Sequence, residues 1–147
     1  MAGFDWQSLA LCDLREYRKK QAGLENLAET IDMLDEQAVS IRGAINATSV
    51  QGGRTNRYEE RLINSIAERE RLEDNRLMLE RQLDRIERGL DALDERERMV
   101  LDYFYIDRPE GYIDRLCEEL SAENSTVYRL KDVALYGFTM AMYGVGR

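Results

Sequence analysis

Apolar residues recur through the first third of the chain at alternating steps of three and four: Leu24, Leu27, Ile31, Leu34, Ala38, Ile41 and Ile45. This is a heptad seam, and about three heptads at about 1.5 Å per residue make a helix about 33 Å long. Leu9, Leu14 and Tyr17 extend an apolar face upstream, so the helix is predicted to begin near Asp5 or Ser8, with Phe4 and Trp6 packing at its start. Gly23 and Gly43 each cost about 1 kcal/mol relative to Ala, a small penalty beside an unbroken seam. The run ATSVQGGRTN, residues 47–56, ends the pattern and reads as a loop, with Thr55 or Asn56 available to cap the next helix. Its glycine pair with Arg54 and Arg57 has some parts of a phosphate cradle. No strand precedes it and no Lys-Ser/Thr pair follows, so it reads as an interhelical linker.

A second long helix is predicted from about Asn56 to Leu93, with a less regular seam. The register of Leu79, Leu83, Ile86, Leu90 and Leu93, carried backward, places Leu72 and Leu62 at core positions but also Arg76, Arg69 and Ser65. Two solutions follow. Either the buried face rotates near residue 66, onto a line of Tyr58, Leu62 and Ile66, or the polar positions stay in the seam and specify register at a cost in stability. Two long helices joined by a short loop form an antiparallel hairpin most economically. The alternating Glu and Arg of residues 68–88 then form a solvated face with i,i+4 pairs.

The pattern changes after Leu93. Met99, Val100, Tyr103 and Phe104 share one face of a short helix, which Asp94 can cap with Glu97 three residues on. A turn at Arg108–Gly111 follows. In residues 113–132, IDRLCEELSAENSTVYRLKD, the apolar Leu116, Leu120, Ala122, Val127 and Leu130 fall at the inward positions of two short helices, with the small Cys117 at their contact. A turn around Ser121 and Ala122 would let the second helix, beginning near Asn124, project into a DNA major groove. The last helix continues through Ala134, Phe138 and Met142. The predicted fold is all-α: a long antiparallel, coiled-coil-like hairpin over 1–93, with its loop at 47–56, then a small helix-turn-helix domain over 94–147.

Composition agrees with long helices: 34% of the 147 residues are charged and proline occurs once. The net charge of −8 is awkward for a DNA binder, which gains affinity by neutralising phosphates. Residues 1–93 hold 14 basic and 18 acidic side chains and residues 94–147 hold 7 and 11, so each part carries a net −4 and the average decides little. From Asn124 to Lys131 there are two basic residues, Arg129 and Lys131, and no acid. The candidate recognition surface is locally positive and should bind weakly unless several copies act together.

Cys12 and Cys117 lack metal-ligand spacing and are expected to be buried thiols in a reducing compartment. No signal peptide is visible, and the apolar stretch Val133–Val145 falls short of the roughly 20 residues that span a bilayer, so a soluble, cytoplasmic protein is expected. The chain has no histidine, which removes the commonest general base and metal ligand, and no carboxylate pair or activated cysteine stands out. The expectation is a non-enzyme with no cofactor and no metal.

LDERERMVLDYF followed by LCEELSAENSTVYRLKDVAL resembles region 4 of sigma-70-type factors, in which a Leu-x-x-Arg-Glu-Arg-x-x-Leu helix precedes the helix-turn-helix and an Ala-Leu pair follows it. Here these are Leu93, Arg96, Glu97, Arg98, Leu101, Ala134 and Leu135. With the upstream long helix, ATS-containing glycine loop and second long helix, the chain is similar to small phage-encoded transcriptional regulators of the RinA/ArpU type, a group associated with late-gene activation. The resemblance implies that Asn124, Ser125, Thr126, Tyr128 and Arg129 face the groove of double-stranded DNA, with Lys131 near phosphate. Glu123 departs from the pattern, standing where such motifs carry a capping Ser or Thr. A carboxylate can cap and favours the helix dipole, but it brings negative charge close to DNA.

The implied function is a DNA-binding regulator whose hairpin self-associates, with a dimer favoured, or contacts host RNA polymerase. A dimer would double few phosphate contacts and read half-sites about 34 Å apart. A phage small terminase subunit, forming a ring, is the alternative within nucleic-acid binding. A protein-interaction adaptor without DNA contact is the alternative from another class. Tyr136, Phe138, Met140, Met142 and Tyr143 make the tail more apolar than a solvated helix end requires, so they either pack internally or mark an interface.

Overall fold

All regular structure among the described residues, 3–48 and 55–147 of a computed structural model, is helical. Helix α1 spans Trp6–Thr48, α2 Thr55–Asp91, α3 Glu95–Leu101, α4 Tyr112–Leu120 and α5 Asn124–Tyr143, with a π-helical turn at Asp102–Ile106. The long antiparallel hairpin and the helix-turn-helix are both present. The loop expected at 47–56 lies mostly outside the described residues, Arg54 with it, while Thr55, one of the two expected caps, is the first residue of α2. No helix among the described residues is long and apolar enough to cross a membrane.

The chain packs as two compact units. One comprises the residues up to Lys20 together with Gln82–Arg147, the other Gln21–Arg81. The boundary between these units falls inside the two long helices, because the start of α1 and the end of α2 share a core with the C-terminal helices.

In the unit Gln21–Arg81, the α1 seam behaves as its spacing requires: Ile31 and Ile41 are buried, and Leu24, Leu27, Leu34, Ala38 and Ile45 are half-buried. On α2 the polar positions stay in register. Ser65 is buried while Ile66 is exposed, so the face does not rotate onto the Tyr58–Leu62–Ile66 line. The two seam arginines find carboxylate partners. Arg69 pairs with Asp35 on α1, and Arg76 bridges Glu73 at 2.9 Å and Glu80 at 2.6 Å on its own helix. The Ser65 hydroxyl has no hydrogen-bond partner among the described residues, which is a cost carried by the seam.

The other unit is built around α5. Leu14 from α1, Ile86 and Leu90 from α2, Leu101 from α3 and Phe138 from α5 are essentially inaccessible. Close approach is made possible by small residues: a Cβ on Gly89 would lie 2.9 Å from Phe138 Cε1, and one on Gly137 would lie 3.1 Å from Leu93 Cδ2. Arg85 closes the C-terminus of α5 by donating to the Met142 carbonyl at 2.6 Å, with its guanidinium 4.8 Å from the Tyr143 ring. The apolar tail therefore divides. Phe138 and Met142 are core, Tyr143 is half-buried against Trp6, and Tyr136 and Met140 remain exposed.

Candidate nucleic-acid interface

The expected capping box of α3 is formed: the Glu97 backbone N–H donates to Asp94 Oδ1 at 2.8 Å, and the Asp94 N–H donates to Glu97 Oε1 at 3.3 Å. The same backbone donation holds the Asp94 carboxyl below its usual range. The short helix expected to carry Met99 through Phe104 widens after Leu101, where the Asp107 N–H reaches back to the Asp102 carbonyl at 2.9 Å. In this wide turn the Phe104 carbonyl is satisfied by the Arg108 side chain at 3.0 Å. Phe104 itself is buried with Val100, Leu116 and Val127, and Tyr103, Tyr105, Tyr112, Leu120 and Leu130 pack around that core.

Leu116 and Val127, both fully buried, fix α4 and α5 to this core as the apolar spacing requires. The turn between them is three residues long. Ser121 adopts the left-handed conformation, φ 50°, and Ala122 N–H donates to the Cys117 carbonyl at 3.0 Å. This pattern ends many helices, though glycine is the usual occupant. Arg96 supplies a further donor to the Leu120 carbonyl, at 3.4 Å. Glu123 occupies the N-cap of α5 in extended conformation, but its side chain makes no capping hydrogen bond. The carboxylate, which is able to cap a helix, does not do so here.

Val127 fixes the rotation of α5 and thereby sorts the six expected contact residues. Ser125, Thr126 and Arg129 are exposed on the side away from the core. Tyr128 is 47% exposed, its ring edge-on to Phe104 with centroids 5.7 Å apart. Asn124 is engaged within the motif, its side-chain oxygen accepting from the Cys117 thiol at 3.0 Å. Lys131 lies partly buried, 2.8 Å from Asp132 and 5.9 Å from the Phe104 ring, so much of its charge is locally compensated. Sequence reasoning stopped at Lys131 and missed Asp132, which projects an exposed carboxylate one position further along the same helix.

The cysteines also separate. Cys117 is half-buried at the motif, whereas Cys12, expected to be buried, is exposed on α1. It lies beyond the apolar face formed by Ala10, Leu14 and Tyr17, and periodicity near a helix start could not place its angle. No cluster of three or more candidate metal-ligating side chains occurs among the described residues.

A long helical hairpin carrying a helix-turn-helix with an outward second helix is the class of protein that the fold defines. Residues 39–138 match the family model described as "Protein of unknown function (DUF1492)", and the chain belongs to that family. No curated protein and no solved structure matches it.

Proposed function

We propose that this protein is a phage-type DNA-binding transcriptional regulator that reads double-stranded DNA with the N-terminal half of α5. The observation that carries the reading is the outward row of Ser125, Thr126 and Arg129 on a helix anchored by the fully buried Val127. Arg129 forms no ion pair among the described residues, leaving its guanidinium fork available to the O6 and N7 acceptors of guanine. Regulation of late genes and contact with host RNA polymerase rest on the resemblance to sigma region 4 and to the RinA/ArpU type.

Self-association through the hairpin is part of the same reading. The unit Gln21–Arg81 buries Ile31 and Ile41 but leaves Met33, Val39, Ile63, Leu77 and Met78 exposed, more apolar surface than an isolated two-helix arm requires. A second copy would cover it and supply a second recognition helix.

Selection of bound fragments from the source genome, followed by anisotropy titration, tests the reading. Arg129→Ala is expected to weaken binding to a selected site by roughly 1–3 kcal/mol and to relax base preference. Absence of salt-dependent binding to duplex DNA would overturn the proposal and favour a protein-interaction adaptor, to which the acidic Glu123 and Asp132 on either side of the candidate contact stretch are suited. A ring of many copies in light scattering would favour a terminase subunit.

A further inference from the structure

Phe104 is the hub of an aromatic cluster, with ring centroids 5.8 Å from Tyr105, 5.2 Å from Tyr112 and 5.7 Å from Tyr128. Three cations from three parts of the chain stand on this cluster. Arg15 of α1 lies 5.9 Å from the Tyr105 ring, Arg108 lies 4.5 Å from Tyr112, and Lys131 of α5 lies 5.9 Å from Phe104. Burial pushes the Tyr105 hydroxyl pKa up, and Lys131 and Arg15 pull it back, as cations beside a phenol must.

Arg15 belongs to the segment LREYRKK, residues 14–20, which holds four basic residues and one acid. Leu14 and Tyr17 are buried, so the exposed Arg15 and Lys19, four residues apart, share the outer side of α1. Neighbouring acids neutralise some of the local charge: Asp107 pairs with Arg18 at 3.0 Å, Glu16 with Lys20 at 3.5 Å and Asp132 with Lys131 at 2.8 Å. Arg15, Lys19 and Arg108 enter no ion pair among the described residues. A guanidinium stacked on a ring uses its face and keeps its N–H donors at the edge, where a phosphate can be held. Arg108 is further fixed by donation to the Phe104 carbonyl through Nε and Nη2, which leaves Nη1 uncommitted there.

We infer that Arg15 and Arg108, gathered beside Tyr128 and Lys131 by the Phe104 cluster, together with Lys19 one turn along α1 from Arg15, form a second contact surface for the sugar-phosphate backbone of the duplex that α5 reads. The inference rests on the DNA-binding reading and deepens it. The helix-turn-helix alone offers few unpaired cations, and the start of α1, over eighty residues upstream of the π-helical turn, brings in more. Contacts to phosphate carry no sequence information, so this surface positions α5 and adds affinity on any duplex.

The test uses the full chain, a fluorescein-labelled duplex of about 30 base pairs carrying a genome-selected site, and a scrambled duplex of equal length, titrated over a series of salt concentrations. Arg15→Ala, Lys19→Ala and Arg108→Ala are each expected to weaken binding to both duplexes alike and to lower the slope of log affinity against log salt by about one, with the triple variant losing about three. Arg15→Lys and Arg108→Lys should keep most of the slope, because a phosphate contact needs the charge. Lys19→Ala, on an exposed side chain, keeps the test valid should an arginine variant fail to fold. If the wild-type chain binds with a steep salt dependence and the Lys19→Ala and Arg15→Ala slopes equal it, the inference falls and α5 acts alone. If the wild-type chain shows no salt-dependent binding, the DNA reading falls and takes this surface with it.

Discussion

The Cys117 thiol donates to the Asn124 side-chain oxygen at 3.0 Å, tying the first residue of α5 back to α4 across the turn. Asn124 therefore supports the geometry of the motif, whereas Arg129, five residues further on, is held by nothing comparable among the described residues. Asn124→Ala is expected to lower stability by roughly 0.5 kcal/mol, at the weak end for a neutral hydrogen bond because sulfur is a poor donor. Its effect on DNA affinity should be smaller than that of Arg129→Ala. Urea denaturation and anisotropy on the same pair of variants check both halves; a larger affinity loss for Asn124→Ala would show that its side chain leaves Cys117 to meet a base.

Gly89 and Phe138 mark a tight helix crossing in the C-terminal unit, with Phe138 Cε1 and Met142 Sδ at 2.9 and 3.1 Å from an added Cβ. Gly89→Ala should gain helix propensity, about 1 kcal/mol, but lose more by overpacking, typically 1–3 kcal/mol. Shortening the opposing ring relieves the clash. Gly89→Ala with Phe138→Leu is thus expected to be less destabilised than the two single effects summed, as read by thermal unfolding of the four proteins in the cycle.

Ser65 occupies a seam position of α2 with its hydroxyl buried and unbonded among the described residues. Ser65→Ala removes the unsatisfied group and favours the helix, so stability should rise by about 1 kcal/mol. An unchanged or lowered melting temperature would indicate that the hydroxyl meets a partner in solution, such as a water or a second chain.

Tyr143 donates its hydroxyl proton to Asp13 near the start of α1. Burial, and then this bond to a carboxylate, push the phenol pKa well above its ordinary value. A group whose folded-state pKa is raised contributes stability in full below its unfolded value, here about pH 10, and loses it as pH rises toward the folded value. Alkaline unfolding of the wild type should steepen above about pH 10, while Tyr143→Phe should lose that dependence at a cost of about 1 kcal/mol near neutrality. Tyrosinate absorbance gives an independent reading: Tyr143→Phe should remove a component that titrates above the ordinary phenol range of about pH 10.

Much of the fold could be read along the chain because the signals involved are local. The three-and-four spacing from Leu24 to Ile45 specifies one buried helix face, and Asp94 with Glu97 caps α3 through residues three apart. The inward set of Leu116 and Val127 likewise follows from spacing alone. The candidate site was legible only as a stretch of helix. That Ser125 and Arg129 stay free while Asn124 is engaged and Lys131 is drawn toward Phe104 depends on what packs beside α5.

The sequence by itself determined an all-helical chain, its long hairpin and the position of the helix-turn-helix, since backbone hydrogen bonding and side-chain periodicity act over a few residues. Tertiary structure decided where charge and apolar surface remain available. Arg15 meets Tyr105, Arg18 meets Asp107 and Tyr143 meets Asp13 across about 90 to 130 positions. The same packing buries Phe138 and leaves Tyr136 exposed, and widens the helix after Leu101. Burial and ion pairing depend on distance in space, which no periodicity along one helix encodes.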